Sequence, residues 1–428
     1  MTGFLLLIIL GILVASMKVR PFYGWVIVAV AFLSMAFWMG IRASFSVFYS
    51  YLVEEFSWGR GEAAIAQSIG FVMYMVSVPF IGGLIDRFGP RKVVIPGILL
   101  CAMGLSLCSF TDDLWSFYLF YGVLVGTGVS FFSIVTYSSI LAHWFERKRG
   151  LASGIASSGM GVGTFLLVLL AERFIRAWGW RWAFTILAAI TLLVLLPSNG
   201  LLLRHKPQEL GLGPDGVPCR GENEGEGGEG FLMALKTRRF WLFVAFASLA
   251  LLSIQIILVH NVRFLVDKGV ERGSAALAFA FVGIVSSVFR IFWGWLSDRI
   301  GRETSYSFGA VCVALSALCL LGVSPDRGLF LYLFVIFFGM GWGATAPSFM
   351  AVAADLFKGS HFGAIYGFFE SSMYILSAIG VWAAGYVFDI TGSYLPAFLM
   401  AMVSILLSIA LLWVTAPRKY RPRPLTDA

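Results

Sequence analysis

Three charged side chains interrupt the long apolar runs of this 428-residue chain, namely Arg42, Arg290 and Glu370. Charges inside a hydrocarbon-spanning segment are costly and rare, so each is a candidate functional residue. A guanidinium is permanently charged and presents a planar fork of donors that fits a carboxylate, whereas a carboxyl group can carry a proton. These residue types therefore indicate recognition of an organic anion and handling of a proton.

Each candidate also has a structural interpretation. Glu370 lies about nine residues into its apolar run, roughly 14 Å deep at ~1.5 Å per residue. There it either carries a proton, or is hydrogen-bonded to neighbouring helices or paired with Arg290. Arg42 lies about twenty residues into the first run, where it either steers anions or snorkels towards the surface. His260 follows the seventh run and is a further candidate for handling protons.

The runs that hold these residues are long enough to cross a membrane. The chain is 59% hydrophobic and 13% charged, a composition that a water-facing surface does not support. A hydrocarbon core needs about 20 apolar residues per crossing, and they must be helical so that every backbone polar group has a partner. The sequence thus predicts an all-α membrane protein of twelve transmembrane helices, at 22–46, 62–84, 93–110, 114–141, 150–171, 181–203, 240–262, 274–297, 304–323, 329–354, 361–388 and 394–414.

The distribution of basic residues predicts the orientation of the spans. The loops after the even-numbered spans, together with both tails, hold 21 of the 31 Lys and Arg residues, whereas the opposite loops hold 8. Cytoplasmic loops carry this excess, so both termini are expected in the cytoplasm, with the chain in the cell (inner) membrane. Since this bias explains the net charge of +8, no nucleic-acid partner is expected.

One polar segment divides the spans into two sets of six, and its Gly/Glu-rich middle has the composition of a flexible linker. The first sixteen residues hold an apolar stretch too short to span comfortably, and Met17 with Lys18 and Arg20 behind it looks like a natural start. The expected organisation is a mis-assigned extension at 1–16, a six-helix bundle at 17–203, a cytoplasmic linker at 204–236, a second six-helix bundle at 237–415 and a basic cytoplasmic tail at 416–428.

The two halves repeat a short motif. One copy starts at Gly82 and reads Gly-Gly-Leu-Ile-Asp-Arg-Phe-Gly-Pro-Arg-Lys, and the other starts at Gly294, 212 residues later, and reads Gly-Trp-Leu-Ser-Asp-Arg-Ile-Gly-Arg. Glycines at 150 and 363 repeat at nearly the same offset. Parallel repeats of six spans form a substrate site where two rocking bundles meet. The motif residues that we single out are Gly82, Asp86, Arg87, Gly89, Arg91, Asp298, Arg299, Gly301 and Arg302.

This motif resembles the Gly-x-x-x-Asp-Arg-x-Gly-x-Arg-Lys pattern between helices 2 and 3 of the major facilitator superfamily. The match is complete at 82–92 and degraded at 294–303, where Glu303 replaces the last basic residue. The resemblance covers residues 20–415 and implies two pseudo-symmetric bundles. It also implies that the motif belongs to a cytoplasmic gate, in which Asp86 and Asp298 accept from helix N-termini and arginines of the facing bundle.

Two further segments resemble particular branches of that superfamily. Residues 144–159 are similar to a signature of monocarboxylate porters, with Trp144 in place of the usual Tyr and Ser158 in place of an Ala. The segment from Arg290 to Gly294 resembles the Arg-x-x-x-Gly of monocarboxylate and oxalate/formate porters, whose arginine meets the substrate carboxylate. The resemblance makes Arg290 the expected substrate-binding residue.

Two departures from these branches narrow the expected substrate. Ser286 stands where monocarboxylate porters often have Asp, and Met373 stands where the oxalate-type porter has a lysine. One arginine without that lysine suits a singly charged anion. We therefore expect a secondary active transporter of small, lactate- or pyruvate-like monocarboxylates, working by alternating access with proton coupling. The alternatives are an oxalate/formate-type anion exchanger and, in another class, a receptor or scaffold derived from a transporter.

Enzymatic and cofactor chemistry is not expected from the remaining residues. The chain has no Walker motif or catalytic triad, and four of its five cysteines lie inside predicted spans without metal-ligand spacing. The expected partners are therefore a small organic anion, protons and the lipid bilayer, with no metal, no cofactor and no obligate protein partner.

Overall fold

The computed structural model describes residues 22–58, 60–217, 231–324, 328–357 and 361–419. The expected N-terminal extension, the middle of the linker and the end of the basic tail lie outside these ranges. Within them the chain consists mainly of long helices joined by short turns, as the need to satisfy every backbone polar group in lipid requires.

The first half begins with α1 Gly24–Phe56, α2 Arg60–Phe88, α3 Pro90–Cys108 and α4 Leu114–Trp144. A helical segment of 54 residues follows at Arg149–Leu202. It would be about 80 Å long if straight, far more than one crossing needs. Its backbone leaves the helical region at Gly179, where φ is 81° and ψ is 163°. We therefore divide it into α5 at 149–178 and α6 at 180–202.

The second half repeats this order after a short helix, Phe231–Lys236. Its members are α7 Arg238–Asp267, α8 Arg272–Ile300, α9 Arg302–Leu321, α10 Gly328–Leu356, α11 Phe362–Thr391 and α12 Leu395–Thr415. Ten helical segments of the described residues are long and apolar enough to cross a membrane. Dividing the longest at Gly179 and adding the 30-residue α11 gives twelve, so the predicted all-α membrane fold is confirmed.

Two helix pairs make the most extensive contacts between the halves. α5 packs against α8, and α2 packs against α11, while α1 packs on the α5–α6 segment and α7 on α12 inside the respective halves. These four helices, α2, α5, α8 and α11, carry or border the repeated glycine motifs. The repeat therefore lies at the interface between the halves, where a substrate site is expected.

The helix boundaries differ from the hydropathy prediction in an informative way. α1 continues ten residues beyond its predicted end at 46, because backbone hydrogen bonding does not stop where the apolar run stops. α4 contains a π-helical stretch at Tyr118–Val125 and a turn before Ile134, neither of which alters hydropathy. The linker begins with two 3₁₀ turns, Pro207–Leu210 and Pro214–Gly216.

Candidate functional site

Asp86, near the end of α2, binds the start of α11 in the other half. Its two carboxylate oxygens accept hydrogen bonds from the backbone N–H groups of Gly363 and Ala364, each at 3.0 Å. The first N–H groups of a helix have no partner inside the helix, and the helix dipole favours a negative charge beside them. Asp86 therefore acts as an N-terminal cap supplied from across the interface.

Asp298, near the end of α8, makes the equivalent contact with the start of α5. Its carboxylate accepts from the N–H groups of Gly150 and Leu151 at 2.9 and 2.8 Å. Each half thus caps one helix of the other half, and both caps lie at the same end of the molecule. We call this the motif end.

Glycines of the motif permit this close approach. A Cβ atom added to Gly82 would lie 1.9 Å from a carbonyl oxygen of α11, and one added to Gly294 would lie 2.2 Å from a carbonyl oxygen of α5. Gly89 and Gly301 have φ of 79° and 97°, a conformation that other residues rarely adopt, and they turn the chain directly into α3 and α9. The repeated spacing therefore fixes both the helix contacts and the turns.

A buried network of four charges reinforces the α5–α8 contact. Asp355, at the end of α10, forms ion pairs with Arg149 at 2.6 Å and with Arg302 at 3.1 Å, and Arg302 also pairs with Asp298. Asp355 and both arginines are at most 3% exposed. Since an uncompensated charge in such a place is costly, the four groups depend on one another.

Arg290 lies in α8 where it faces α5, and it is 4% exposed. Its Nη1 donates to the carbonyl oxygen of Ser157 at 2.9 Å, and its guanidinium lies 5.4 Å from the ring centre of Trp342. Among the described residues, Nε has no hydrogen-bond partner and no carboxylate forms an ion pair with Arg290. The arginine therefore retains an unused Nε donor, and no described carboxylate compensates its charge. The alternative pairing with Glu370 does not occur in this conformation.

Glu370 faces the other arginine instead. It is 2% exposed in α11, its Oε2 has no partner among the described residues, and the charged group that acts on it is Arg42 of α1. The Arg42 guanidinium lies 4.7 to 5.4 Å from the ring centres of Trp38, Phe71 and Tyr74. Since α1 and α11 belong to different halves, these opposite charges face each other across the interface.

The remaining predicted residues have contacts of their own. Arg87 and Arg299 are exposed, and each guanidinium stacks on an aromatic ring of its own helix at 5.1 and 4.2 Å. Arg91 donates to backbone carbonyl oxygens at the end of α6. His260 packs on Tyr394 with ring centroids 5.3 Å apart, about 33 Å along α7 from the start of that helix.

Sequence reasoning missed two members of the charge network. It counted Arg149 among the loop cations, and Asp355 follows the predicted end of the tenth span by one residue. Hydropathy does not distinguish a charge that faces solvent at a helix end from one that faces neighbouring helices. The one available signal was that Arg149 directly precedes a repeated glycine at the start of α5.

For the transport expected from the sequence, replacing Asp86 by Asn should lower the maximal rate by about tenfold or more and leave substrate affinity within about twofold. The change removes a charge-assisted cap of α11, worth roughly 1.5–3 kcal/mol, at a residue that binds Gly363 and Ala364 and not Arg290. Rates and apparent KM measured in proteoliposomes would test it. Arg87→Gln, which changes an exposed charge of the same motif, is the control. A pure loss of affinity with an unchanged maximal rate would contradict the prediction.

Comparison with protein families gives one match along nearly the whole chain. The family model described as Major Facilitator Superfamily matches residues 27–351 and 264–428. Among solved structures, the proton:xylose symporter XylE bound to 6-bromo-6-deoxy-D-glucose is 14% identical and covers 92% of this chain and 95% of its own, with a TM-score of 0.72. FucP in the outward conformation is 15% identical and covers 92% and 99%, with a TM-score of 0.66. At these identities the likeness concerns the fold.

Curated relatives are more similar in sequence. Monocarboxylate transporter 13 of Bos taurus is 27% identical over 379 residues, which is 89% of this chain and 86% of the relative. Monocarboxylate transporter 11 of Homo sapiens is 28% identical over 92% of this chain and 83% of its own length. Monocarboxylate transporter 2 of Homo sapiens is 25% identical over 87% and 81%.

Proposed function

The chain belongs to the major facilitator superfamily, and from that premise we propose that it is a secondary active transporter that carries small organic monocarboxylates in symport with protons. Transport, and not catalysis, is the activity of this family. The observation on which the proposal rests is Arg290, a buried arginine at the interface between the halves that has no described carboxylate partner. The names of the curated relatives support the same class of substrate.

In this proposal Arg290 binds the substrate carboxylate. Its Nη1 donates to the carbonyl oxygen of Ser157, and this hydrogen bond fixes the orientation of the guanidinium. Its Nε remains available to donate to an acceptor on the substrate. Trp342 covers one face of the guanidinium and would exclude water there. Because Met373 replaces the lysine of the oxalate-type porter, we propose a singly charged anion as the substrate.

Glu370 of α11 and Arg42 of α1, which face each other across the interface, are proposed to handle the proton and the anion. An ionised Glu370 is attracted to Arg42, whereas a protonated Glu370 releases that arginine to interact with an incoming anion. Proton and anion would then arrive together, which is the requirement for symport. His260 is the second candidate for the proton and lies near the far end of α7.

Alternating access is proposed to open and close the motif end. The caps made by Asp86 and Asp298 join the halves and must break when the halves separate there. The excess of Lys and Arg in the loops of this end supports a cytoplasmic location for it, with both termini on the same side and the chain in the cell membrane.

Uptake into proteoliposomes tests the proposal directly. Purified protein is offered lactate, pyruvate, formate, oxalate and longer monocarboxylates with and without an inward proton gradient. We expect gradient-driven uptake of one or more monoanions and little uptake of oxalate. Uptake that requires a counter-anion inside the vesicles would favour the oxalate/formate-type exchanger. Binding without any uptake would favour a receptor or scaffold.

Glu370→Gln should abolish proton-driven accumulation while leaving exchange of labelled substrate across the vesicle membrane. An inward gradient of one pH unit supports up to about tenfold accumulation in one-to-one symport, because one unit is about 1.4 kcal/mol. Glutamine cannot give up a proton, so the expected ratio falls to about one. His260→Gln is the matched control and should keep the accumulation. If His260→Gln loses it and Glu370→Gln keeps it, the assignment of the proton to Glu370 is wrong.

A further inference from the structure

The beginning of the linker is folded against the motif end of the first half. We call residues 204–217 the strap. The indole Nε1 of Trp144 donates to the carbonyl oxygen of Arg204 at 3.3 Å, and Gly216 packs on the ring of Phe22, which in turn contacts Trp144. Burial lowers the pKa of His205 to about 3, as expected for a packed segment. The strap therefore packs on the first half.

One strap residue reaches the turn that leads into α5. Asp215 Oδ2 accepts from the N–H groups of Glu146 at 3.0 Å and Arg147 at 2.7 Å, and Oδ1 accepts from the N–H of Lys148 at 3.5 Å. The backbone of Asp215 is left-handed, with φ of 56°. Such a conformation is uncommon outside glycine and is a reason to look for a role.

Two carboxylates therefore share one run of backbone N–H groups around the start of α5. Asp215 accepts from residues 146–148, and Asp298 accepts from the two residues that follow Arg149. They differ in the half to which they belong. Asp298 is on α8 of the second half, so its contact breaks when the halves separate at the motif end. Asp215 belongs to a segment packed on the first half, so its contact can persist.

We propose that Asp215 is a positioning residue of the gate at the motif end. It holds the turn at 145–148 so that the start of α5 stays formed while this end is open and is presented correctly to Asp298 when the end closes. Without Asp215 the N–H groups of the turn lose their acceptor, and the first turn of α5 frays. Closing then becomes slow, whereas the substrate site around Arg290 is unchanged. The inference does not depend on which substrate is carried.

Limited trypsin digestion of the purified protein tests this contact without any substrate. Arg147 and Lys148 are exposed in the turn itself, so fraying makes the bond between them a better site for cleavage. Asp215→Ala should raise the rate of cleavage there by about threefold to tenfold, the range expected for loss of a helix cap. The maximal transport rate should fall by a similar factor with KM within about twofold. Asp215→Asn, which tolerates the left-handed backbone and keeps one acceptor, should be intermediate.

Glu209→Ala is the matched control in the same strap. Glu209 accepts from the N–H groups of His205 and Lys206 at 3.0 and 3.3 Å, both inside the strap and not in the turn before α5, so cleavage after Arg147 should stay at the wild-type rate. Wild-type cleavage and transport in Asp215→Ala would overturn the proposal. Equal effects of the Asp215 and Glu209 substitutions would also overturn it, since folding of the strap as a whole would then explain them. If Asp215→Ala does not fold, Asp215→Asn decides by the same two measurements.

Discussion

Arg290→Gln is expected to weaken monocarboxylate binding by about 10- to 100-fold, and Arg290→Lys by a smaller factor. A charge-assisted hydrogen bond contributes roughly 1.5–3 kcal/mol, which is about one to two decades in affinity. Lysine keeps the charge but loses the planar fork, whereas glutamine loses both. Titration of the purified protein with the preferred acid and with its uncharged amide measures the effect. The amide should bind wild type poorly and lose little further affinity in either variant.

The rival interpretation makes Arg290 a structural residue. Its bond to the Ser157 carbonyl joins α8 to α5, and glutamine retains a donor that can serve the same oxygen. Under the substrate-binding interpretation, thermal stability should therefore change little in Arg290→Gln. A second substitution, Glu370→Gln, should not raise the stability of that variant, because Arg290 and Glu370 are not paired. Arg299→Gln, which removes an exposed arginine of the same helix, controls for net charge. Unchanged binding of the acid by Arg290→Gln would falsify the substrate role.

Asp355→Asn is expected to destabilise the protein by about 3–5 kcal/mol, the usual cost of removing one partner from a buried ion pair. The aspartate neutralises Arg149 and Arg302, which are at most 3% exposed and would be left with fewer compensating charges. Its loss should also loosen the start of α5, because Arg149 directly precedes the residues that Asp298 caps. To measure the change, the protein is heated in detergent, and the folded protein that remains is quantified by size-exclusion chromatography.

The matched control uses an aspartate in an exposed ion pair. Asp112 pairs with Arg181 at 3.1 Å, and its side chain is 85% exposed. Solvent-exposed pairs contribute about 0–1 kcal/mol, so Asp112→Asn should melt close to wild type. If Asp355→Asn and Asp112→Asn have the same melting temperature, the buried network makes no net contribution to stability. The α5–α8 contact is then held by the Asp298 cap and by packing.

The sequence predicted the fold well because the physical signal was strong. Lipid forces each apolar run to be a helix, and the run that holds Arg290 was placed at 274–297, within α8 Arg272–Ile300. Prediction was weaker for features of the helices that depend on local backbone geometry. The π-helical stretch of α4 and the division of α5 from α6 at a single glycine depend on local conformations that hydropathy does not report.

The candidate site was predicted in part. The repeated motif identified Asp86 and Asp298, because a residue spacing that occurs in both halves indicates that the same structural constraint acts in both. The partners could not be predicted, since burial at a helix end depends on how neighbouring helices pack. Asp355 and Arg149 looked like solvated loop charges, and Asp215 lay in a segment classified as a linker. The position of Glu370 opposite Arg42, rather than beside Arg290, likewise depends on which helices face each other.

The reciprocal caps give the motif end the character of a symmetric dimer contained in one chain. In a two-fold interface each partner offers the same surface and receives the same surface. Here each half supplies one carboxylate and accepts one, so a rigid-body separation of the halves at the motif end breaks both caps in the same step. Two modest contacts then act as a single cooperative latch. A substitution in one half removes only half of this latch, and the charge network on the α5–α8 side makes the two halves of it unequal.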